Sequence, residues 1–243
     1  MLSFCLITRN AADTLPETLD CIRPLADEIV VVDSGSTDAT PDLLKAAGAR
    51  VKSVTPEAHP DWFLEIPNEH GGKEITLARF DAARNLSFDM AKGDELFWID
   101  CDDHILGIER WPEMLQHFRQ QRFDAMILPY LYMFDERGNL TTRLLRERLL
   151  RRDAGFRWEY PIHEILHTEG KRIGIFDGVQ ISHRKHTRQN VNRRRNLEVL
   201  KAKGDLTSPR SLFYLGVEYA TIREYREAAQ RFDPSRLAPS TVE

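Results

Sequence analysis

The 243-residue chain is poor in cysteine: Cys5, Cys21 and Cys101 are odd in number and form no C-x-x-C pair. That rules against a disulfide framework and reads as reduced, buried thiols in a cytoplasmic protein. A chain of this length buries roughly 70–75% of its unfolded surface, so it needs no disulfide or metal staple to fold. Long apolar runs are missing. Ile29–Val32 is among the longest, far short of the ~20 residues that span a bilayer. The start, MLSFCLITRN, has neither a basic n-region nor a long apolar h-region and does not read as a signal peptide. A basic excess is missing too. Lys plus Arg is 34 against 38 Asp plus Glu, a net charge of −4, which gives no nucleic-acid footprint. The dinucleotide fingerprint G-x-G-x-x-G does not occur, which disfavours a nicotinamide enzyme.

What is there suits a globular α/β protein, with 42% hydrophobic and 30% charged residues. Short β-branched runs predict buried strands at Ser3–Thr8, Glu28–Asp33 and Ala49–Val54. Between them, Ala11–Ile22 and a stretch from Thr40-Pro41-Asp42 to Gly48 read as helices. This alternation implies a parallel sheet with helices packed on it. Thr55–Gly72, rich in proline, histidine and acids, reads as a long loop, either a functional lid or plain disorder. Ile75–Ala91 reads as a helix stopped by Gly93. A strand at Glu95–Ile99, a helix at Trp111–Arg122 and a strand at Phe123–Phe134 follow. Glu136–Asn139 reads as a hairpin turn, and Leu144–Arg152 and Phe156–Ile165 as strands or a strand–helix mix. Asp177-Gly178, between Arg172–Phe176 and Val179–His183, is a short hairpin signal. Beyond a basic stretch at Arg184–Arg195, three helices are predicted at Asn192–Lys203, Ser208–Tyr219 and Arg223–Phe232. The last two have the pattern of one tetratricopeptide-type hairpin. One hairpin makes no solenoid, since ~3 repeats are needed. It either packs on the main domain or belongs to a shortened version of a longer array. Pro234–Glu243 reads as a frayed tail. The expected organisation is one domain over 1–185 and a helical segment over 186–243.

The strongest chemical signal is Asp100-x-Asp102-Asp103 directly after an apolar strand. Acids at a strand end point into the crevice where open α/β folds bind ligands. They repel unless a cation lies between them, and hard oxygen ligands suit Mg²⁺ or Mn²⁺. The bland alternative is a solvated acidic turn. A second signal is Asp33 at a strand end, followed by the turn Ser34-Gly35-Ser36-Thr37-Asp38. Its amides and hydroxyls suit part of a nucleotide, or they only cap a turn.

Taken in order, LITRN at Leu6–Asn10, VVDSGSTD at Val31–Asp38, ARN at Ala83–Asn85 and WIDCDD at Trp98–Asp103 resemble the family 2 glycosyltransferases of the GT-A fold. RLLRRDAGFRWEYPIHEIL at Arg148–Leu166 resembles the acceptor-side segment of the bacterial subgroup that glycosylates lipopolysaccharide core and related glycans. That subgroup often carries tetratricopeptide repeats. The resemblance implies a Rossmann-like mixed sheet and a metal-dependent, inverting sugar transfer from a nucleotide-diphosphate donor, UDP-sugar favoured. The acceptor is a hydroxyl, on a glycan or lipid-linked glycan. It places the nucleotide base against Thr8, Arg9, Asn10 and Asp33, with Ser34 where many members have a second acid. Arg84 and Asn85 match a donor-side motif. Asp100 contacts the ribose or the metal, and Cys101 lies beside it on the donor side. Asp102 binds the metal, Asp103 extends the motif, and His183 resembles a histidine that some relatives use near the metal. Glu164 is the best match for the base that deprotonates the acceptor, with Asp153 and Glu159 weaker. His163 either orients Glu164 or acts itself.

Three other readings compete. His163-Glu164-Ile165-Leu166-His167 is a literal H-E-x-x-H, which binds zinc in metalloproteases when it lies on a stable helix. Here Pro161 and Gly170 bracket it, so any helix is short. A haloacid-dehalogenase-type phosphatase also places D-x-D after a strand, but usually the first one. A repeat-containing scaffold with a dead transferase domain is the non-enzyme reading. The basic stretch, with Arg143, Arg146, Arg148, Arg151 and Arg152, could engage a diphosphate, a phosphorylated glycan or anionic lipid headgroups. The last of these would make the protein peripheral at the inner face of a membrane. The plain alternative is a solvated helix start.

Overall fold

A computed structural model describes residues 1–68, 70–183 and 192–232. In chain order the elements are β1 (Leu2–Thr8), α1 (Leu15–Ile22), β2 (Glu28–Asp33), α2 (Thr40–Ala46), β3 (Arg50–Ser53), β4 (Phe63–Pro67) and β5 (Lys73–Leu77). Next come α3 (Phe80–Met90), β6 (Glu95–Trp98), β7 (Asp103–Leu106), α4 (Trp111–Gln120), β8 (Ala125–Phe134) and β9 (Leu140–Arg151). The chain continues through β10 (Trp158–Glu159), β11 (Ile165–Leu166), β12 (Ile173–Ile175) and β13 (Gln180–His183) to α5 (Arg195–Lys203), α6 (Pro209–Thr221) and α7 (Tyr225–Arg231). They group into two compact units. The first holds Met1–Val54, Ala83–Trp158 and the described residues from Leu166 to His183; the second holds Thr55–Ala82, Glu159–Ile165 and the described residues from Asn192 to Phe232.

The first unit is built on one mixed sheet. Its strands run in the order β3-β2-β1-β6-β9-β8-β13-β7, with β12 also on β8. β1 pairs in parallel with β2 and β6. Both faces of these strands are covered, which is why they are continuously apolar. Phe4, Leu6, Val31, Phe97 and Ile99 pack with Leu15, Leu19 and Ile22 of α1 and Trp111, Met114 and Phe118 of α4. Their neighbours Cys5, Val30, Leu96 and Trp98 point the other way, to Phe88, Leu150 and Trp158. The period of two along each strand divides the two cores. Parallel register also sets Thr8 opposite Asp33, so β1 and β2 deliver their last residues to one sheet edge, and β6 runs on toward Asp100 from the same direction.

The second unit has its own core. Ala78, Ile162, Leu197, Leu200, Leu215, Tyr219 and Ala228 are buried together. Ser208 caps α6 by accepting from the Ser211 amide at 3.2 Å, as its Ser-Pro start predicts.

The structure corrects the sequence expectation in three places. The span Thr55–Gly72 is not a plain loop, and the helix expected from Ile75 starts only at Phe80, because β4 and β5 form an antiparallel hairpin. Asn68 makes the turn: its Oδ1 accepts from the amides of His70 and Gly72, and Gly71 takes φ +81°. Asp177-Gly178 is not a hairpin either. β12 and β13 both pair in parallel with β8, one after the other, because that ten-residue strand offers an edge long enough for both. Third, β9 starts at Leu140, so β8 and β9 form a longer hairpin than expected, closed by Asp135 and Asn139. Most of the basic stretch, residues 184–191, and the tail after Phe232 lie outside the described residues.

Two predictions follow from how the sheet is pinned. Gly107, which ends β7, has φ +71°, and a Cβ there would run into the Gly178 carbonyl oxygen. Gly107→Ala should therefore lower the unfolding free energy by roughly 2–4 kcal/mol in urea titration; an unchanged midpoint would contradict this packing. Glu28 ties three strands and the end of α3. It accepts from Ser3 Oγ at 2.6 Å and the Lys92 amide at 2.9 Å, and pairs with Arg50 at 2.7 Å. Burial pushes its carboxyl up, but these partners outweigh it and leave the pKa below the ordinary 4.5. A depressed carboxyl stabilises the fold above its unfolded value and loses that as pH falls through the folded one. The stability gap between the parent and Glu28→Gln should thus be full above pH 4.5 and shrink in acid; a pH-independent gap would contradict the assignment.

Candidate active site

At the carboxyl edge, the loops after β1 and β2 are laced together by side chains. Asp33, 3% exposed, accepts from Ser36 Oγ at 2.6 Å and from the Ser36 amide. Ser34 donates to the Thr8 carbonyl through both its amide, at 2.9 Å, and its Oγ, at 3.1 Å. Asn10, in a left-handed conformation at φ +47°, donates its amide to Ser36 Oγ and accepts the Thr37 amide at 2.7 Å. The structure thus brings Thr8, Asn10, Asp33 and Ser34 together at this edge. Arg9 sits between Thr8 and Asn10, half-buried. Thr8 Oγ1 is buried without a partner among the described residues.

The acids after β6 form two groups. Asp100 belongs to Arg84, whose Nη2 is 2.8 Å from Oδ1. Arg84 lies over the Trp98 and Trp158 rings, 5.0 Å from each centroid. Burial opposes ionisation of Asp100, but the Arg84 and Arg148 charges outweigh it and hold its pKa below the usual carboxylate value. Asn85 is occupied elsewhere: its side chain clamps the Trp158 backbone with two 2.9 Å bonds.

Asp103, fully buried at the start of β7, anchors the second group. Its carboxylate accepts from Arg148 Nη1 at 3.0 Å, Tyr130 Oη at 3.0 Å and the Asp100 amide at 3.3 Å, and lies 3.1 Å from His183 Nδ1. Arg148, also fully buried, is sandwiched between the Trp98 ring at 3.7 Å and the Tyr130 ring at 4.3 Å. Asp102 approaches His183 Nδ1 at 3.5 Å. Ligand atoms of Asp102, Asp103 and His183 all lie within 4.8 Å of one another. Two carboxylates and an imidazole fit a divalent cation, and the crowding of acids explains what a cation would relieve there. Burial pulls the His183 pKa down, but the Asp103 hydrogen bond and the charges of Asp102, Asp103 and Asp100 outweigh it, and the net shift is upward. Of the four expected metal ligands, Asp100 stands outside this group, because Arg84 holds it. Cys101 is half-buried between the two groups of acids in sequence.

Sequence reasoning missed Arg148 and Tyr130. The sequence groups Arg148 with Arg143, Arg146, Arg151 and Arg152 as a positive side for an anionic ligand, whereas its side chain is fully buried. The signal that could have found it is its place at every second residue from Leu150 on β9, opposite the buried part of β6.

His163 and Glu164 lie in the second unit. The zinc-protease alternative fails on geometry. His163 is left-handed at φ +56° and Ile165–Leu166 is a strand, so the two histidines share no helix face. His163 Nε2 instead meets Glu218 Oε1 at 2.8 Å. Among the described residues, the one group able to hold a metal is Asp102, Asp103 and His183. Of the weaker base matches, Asp153 is paired with Arg151 at 2.7 Å and Glu159 is exposed.

With this geometry in view, the likenesses to known proteins become informative. Residues 3–59 match the profile of Glycosyl transferase family 2. A crystal structure of S. aureus TarS 1–349 in complex with UDP superposes with a TM-score of 0.53 at 15% identity, covering 96% of this chain and 73% of that one. The fold is GT-A. Among curated proteins, a TPR repeat-containing protein of Synechococcus elongatus is 29% identical over 165 residues, 68% of this chain and 35% of that one. A glucosyl-3-phosphoglycerate synthase of Mycolicibacterium paratuberculosis is 35% identical over 105 residues, 42% of this chain and 28% of that one. The chain therefore spans about a third of the length of these relatives. The family match covers residues 3–59, and the likeness to the solved structure extends to the fold.

Arg148→Ala would leave the Asp103 carboxylate buried without its cation. We expect a loss of roughly 3–5 kcal/mol in unfolding free energy, read by chemical denaturation. A loss below about 1 kcal/mol, the value of an exposed pair, would show that the pair is not buried in solution.

Proposed function

We propose that this chain is a metal-dependent, inverting glycosyltransferase that moves a sugar from a nucleotide-diphosphate donor to a hydroxyl acceptor. The observation that carries this reading is the Asp102–Asp103–His183 group, which shares its sheet with the serine-laced Asp33 turn. UDP is the favoured nucleotide, supported by the structures of TarS with UDP and with UDP-GlcNAc, the latter at a TM-score of 0.50.

The roles follow from the chemistry of each group. Asp33, with Thr8, Arg9, Asn10 and Ser34, binds the base and its nucleoside. Asp100 and Arg84 serve the ribose and diphosphate side, Arg84 being fixed over Trp98 and Trp158. Asp102 and His183, with Asp103 held behind them by Arg148, would carry Mn²⁺ or Mg²⁺. Bound there, the ion would neutralise the departing diphosphate. Glu164, with His163 beside it, takes the proton of the acceptor hydroxyl. The hydroxyl oxygen attacks the anomeric carbon from the face opposite the diphosphate, which leaves with the electron pair of the broken C–O bond.

The acceptor we infer is a glycan or lipid-linked glycan of the lipopolysaccharide-core type, with α6 and α7 as one tetratricopeptide-like hairpin. The TPR repeat-containing relative supports that last part. A lipid-linked acceptor would make the protein peripheral at the inner face of the membrane. Among the described residues no helix is long and apolar enough to cross one.

Calorimetry with UDP and GDP, in Mn²⁺ and in chelator, tests the donor site. The parent should bind UDP in Mn²⁺, and Asp102→Ala should weaken that binding by about 10- to 100-fold or more, the scale for loss of a metal's support. Equal affinity in chelator, or in the variant, would remove the metal from the mechanism. No binding of either nucleotide would end the transferase reading.

A further inference from the structure

One side of α6 grips a single residue of the preceding segment. Arg210, Tyr214 and Glu218 are spaced four apart, so they line one stripe of the helix. All three hold His163. Arg210 Nη2 donates to its carbonyl at 2.7 Å. The Tyr214 ring stacks on the imidazole at 4.1 Å, only 11° from parallel. Glu218 Oε1 meets its Nε2 at 2.8 Å. Asn196 of α5 also donates to Glu218 Oε1, at 3.3 Å. Arg210 reaches further, over the Tyr160 ring at 4.8 Å.

The arrangement is costly. Glu218 is only 5% exposed, and burying a polar side chain costs stability unless each of its groups finds a hydrogen-bond partner. Tyr160 and His163 both carry positive φ, +77° and +56°, which costs of order 1–3 kcal/mol per residue unless the surroundings hold it. A helix hairpin that needed only to cover Ile162 and Leu197 would be served by leucines. Spending a buried glutamate, an arginine and a tyrosine on one imidazole makes sense if the direction of the next residue matters, and the next residue is Glu164.

We propose that Glu218 is a positioning residue for sugar transfer: acting through His163, it fixes the left-handed loop that presents Glu164 to the acceptor hydroxyl. The helical hairpin is on this account part of the catalytic apparatus rather than an appendage. The inference rests on the proposed role of Glu164. Its chemistry adds no new step: the proton still passes from the acceptor oxygen to the Glu164 carboxylate. Glu218 exchanges no proton; its carboxylate accepts a hydrogen bond from His163 Nε2–H and so fixes which ring nitrogen carries the proton.

The test uses the full chain, Mn²⁺ and either UDP-glucose or UDP-GlcNAc, with UDP release as the readout and water as the acceptor of last resort. Three variants are compared with the parent: Glu218→Leu, Glu218→Asp and Glu164→Gln. For Glu218→Leu we expect kcat to fall about 10- to 100-fold, the cost of misplacing a reacting group by about 1 Å. Donor KM and UDP affinity should stay at the parent's values; Tm should fall only slightly, because leucine fills the buried space but leaves the hydrogen bonds to His163 and Asn196 unmade. Glu218→Asp should recover part of the lost kcat. Glu164→Gln should abolish turnover with UDP affinity intact. A Glu218→Leu variant with parental kcat would overturn the proposal and leave Glu218 a packing residue. So would a Glu218→Leu variant whose kcat and Tm fall together while Glu218→Asp recovers only Tm. A parent that binds UDP but releases none from either donor overturns it as well. Full turnover in Glu164→Gln would instead overturn the role given to Glu164, and with it this inference.

Discussion

The buried pair between Asp103 and Arg148 is the constraint on which the candidate site depends. Neither side chain is exposed, and an isolated charge in that position would cost several kcal/mol. The pair persists because each ion is held on several sides. Tyr130, the Asp100 amide and His183 surround the carboxylate. The Trp98 carbonyl and two aromatic faces surround the guanidinium. These contacts come from β6, β7, β8, β9 and β13, so one ion pair registers five strands. Asp102 immediately precedes Asp103 in the chain. Fixing the second fixes where the first can point, and it points toward His183.

The same pair explains how four ionisable groups of the edge coexist. Asp100, Asp102 and Asp103 would repel one another if they stood alone. Arg148 offsets Asp103 and Arg84 offsets Asp100, while Asp102 faces His183. The arginines are themselves immobilised by Trp98, which receives Arg84, Arg146 and Arg148 over its ring. Its indole nitrogen is tied to the Glu147 carbonyl. A tryptophan that reads in the sequence as one more core residue is therefore the platform for the positive half of the site.

How much of this was legible follows from the physics of each part. β1, β2 and β6 were legible because a parallel strand covered on both faces must be apolar throughout, and few segments of this chain are. The acids at Asp33 and Asp100–Asp103 were legible because a strand end fixes where their side chains can go. Arg148 was not, since composition cannot tell a cation sealed between two rings from one in water; only the pairing of β9 with β6 reveals it. The β4–β5 hairpin was hidden because Asn68, Gly71 and Gly72 give the turn the composition of a loop. The H-E-x-x-H string was ambiguous for the opposite reason. A motif fixes residue types, but zinc chemistry also needs a helix, and the left-handed His163 prevents one.

Backbone conformation separates structural from functional use of strain. Among the described residues, five other than glycine have positive φ: Asn10, Arg122, Tyr160, His163 and Arg223. Arg122 and Arg223 follow α4 and α6. In each case the next amide returns to a carbonyl five residues back, Phe123 to Phe118 and Glu224 to Tyr219, so these are ordinary left-handed helix ends. Asn10 is a residue type that tolerates this conformation, and its side chain is used to tie two loops. Tyr160 and His163 have neither excuse. They end no helix, their side chains are bulky, and they lie three residues apart beside Glu164. Helix α6 holds both, one by a guanidinium over its ring and the other by a stack and two hydrogen bonds. Unfavourable conformations survive where the surroundings over-determine them, and in this chain that over-determination is concentrated on the loop that carries the proposed base.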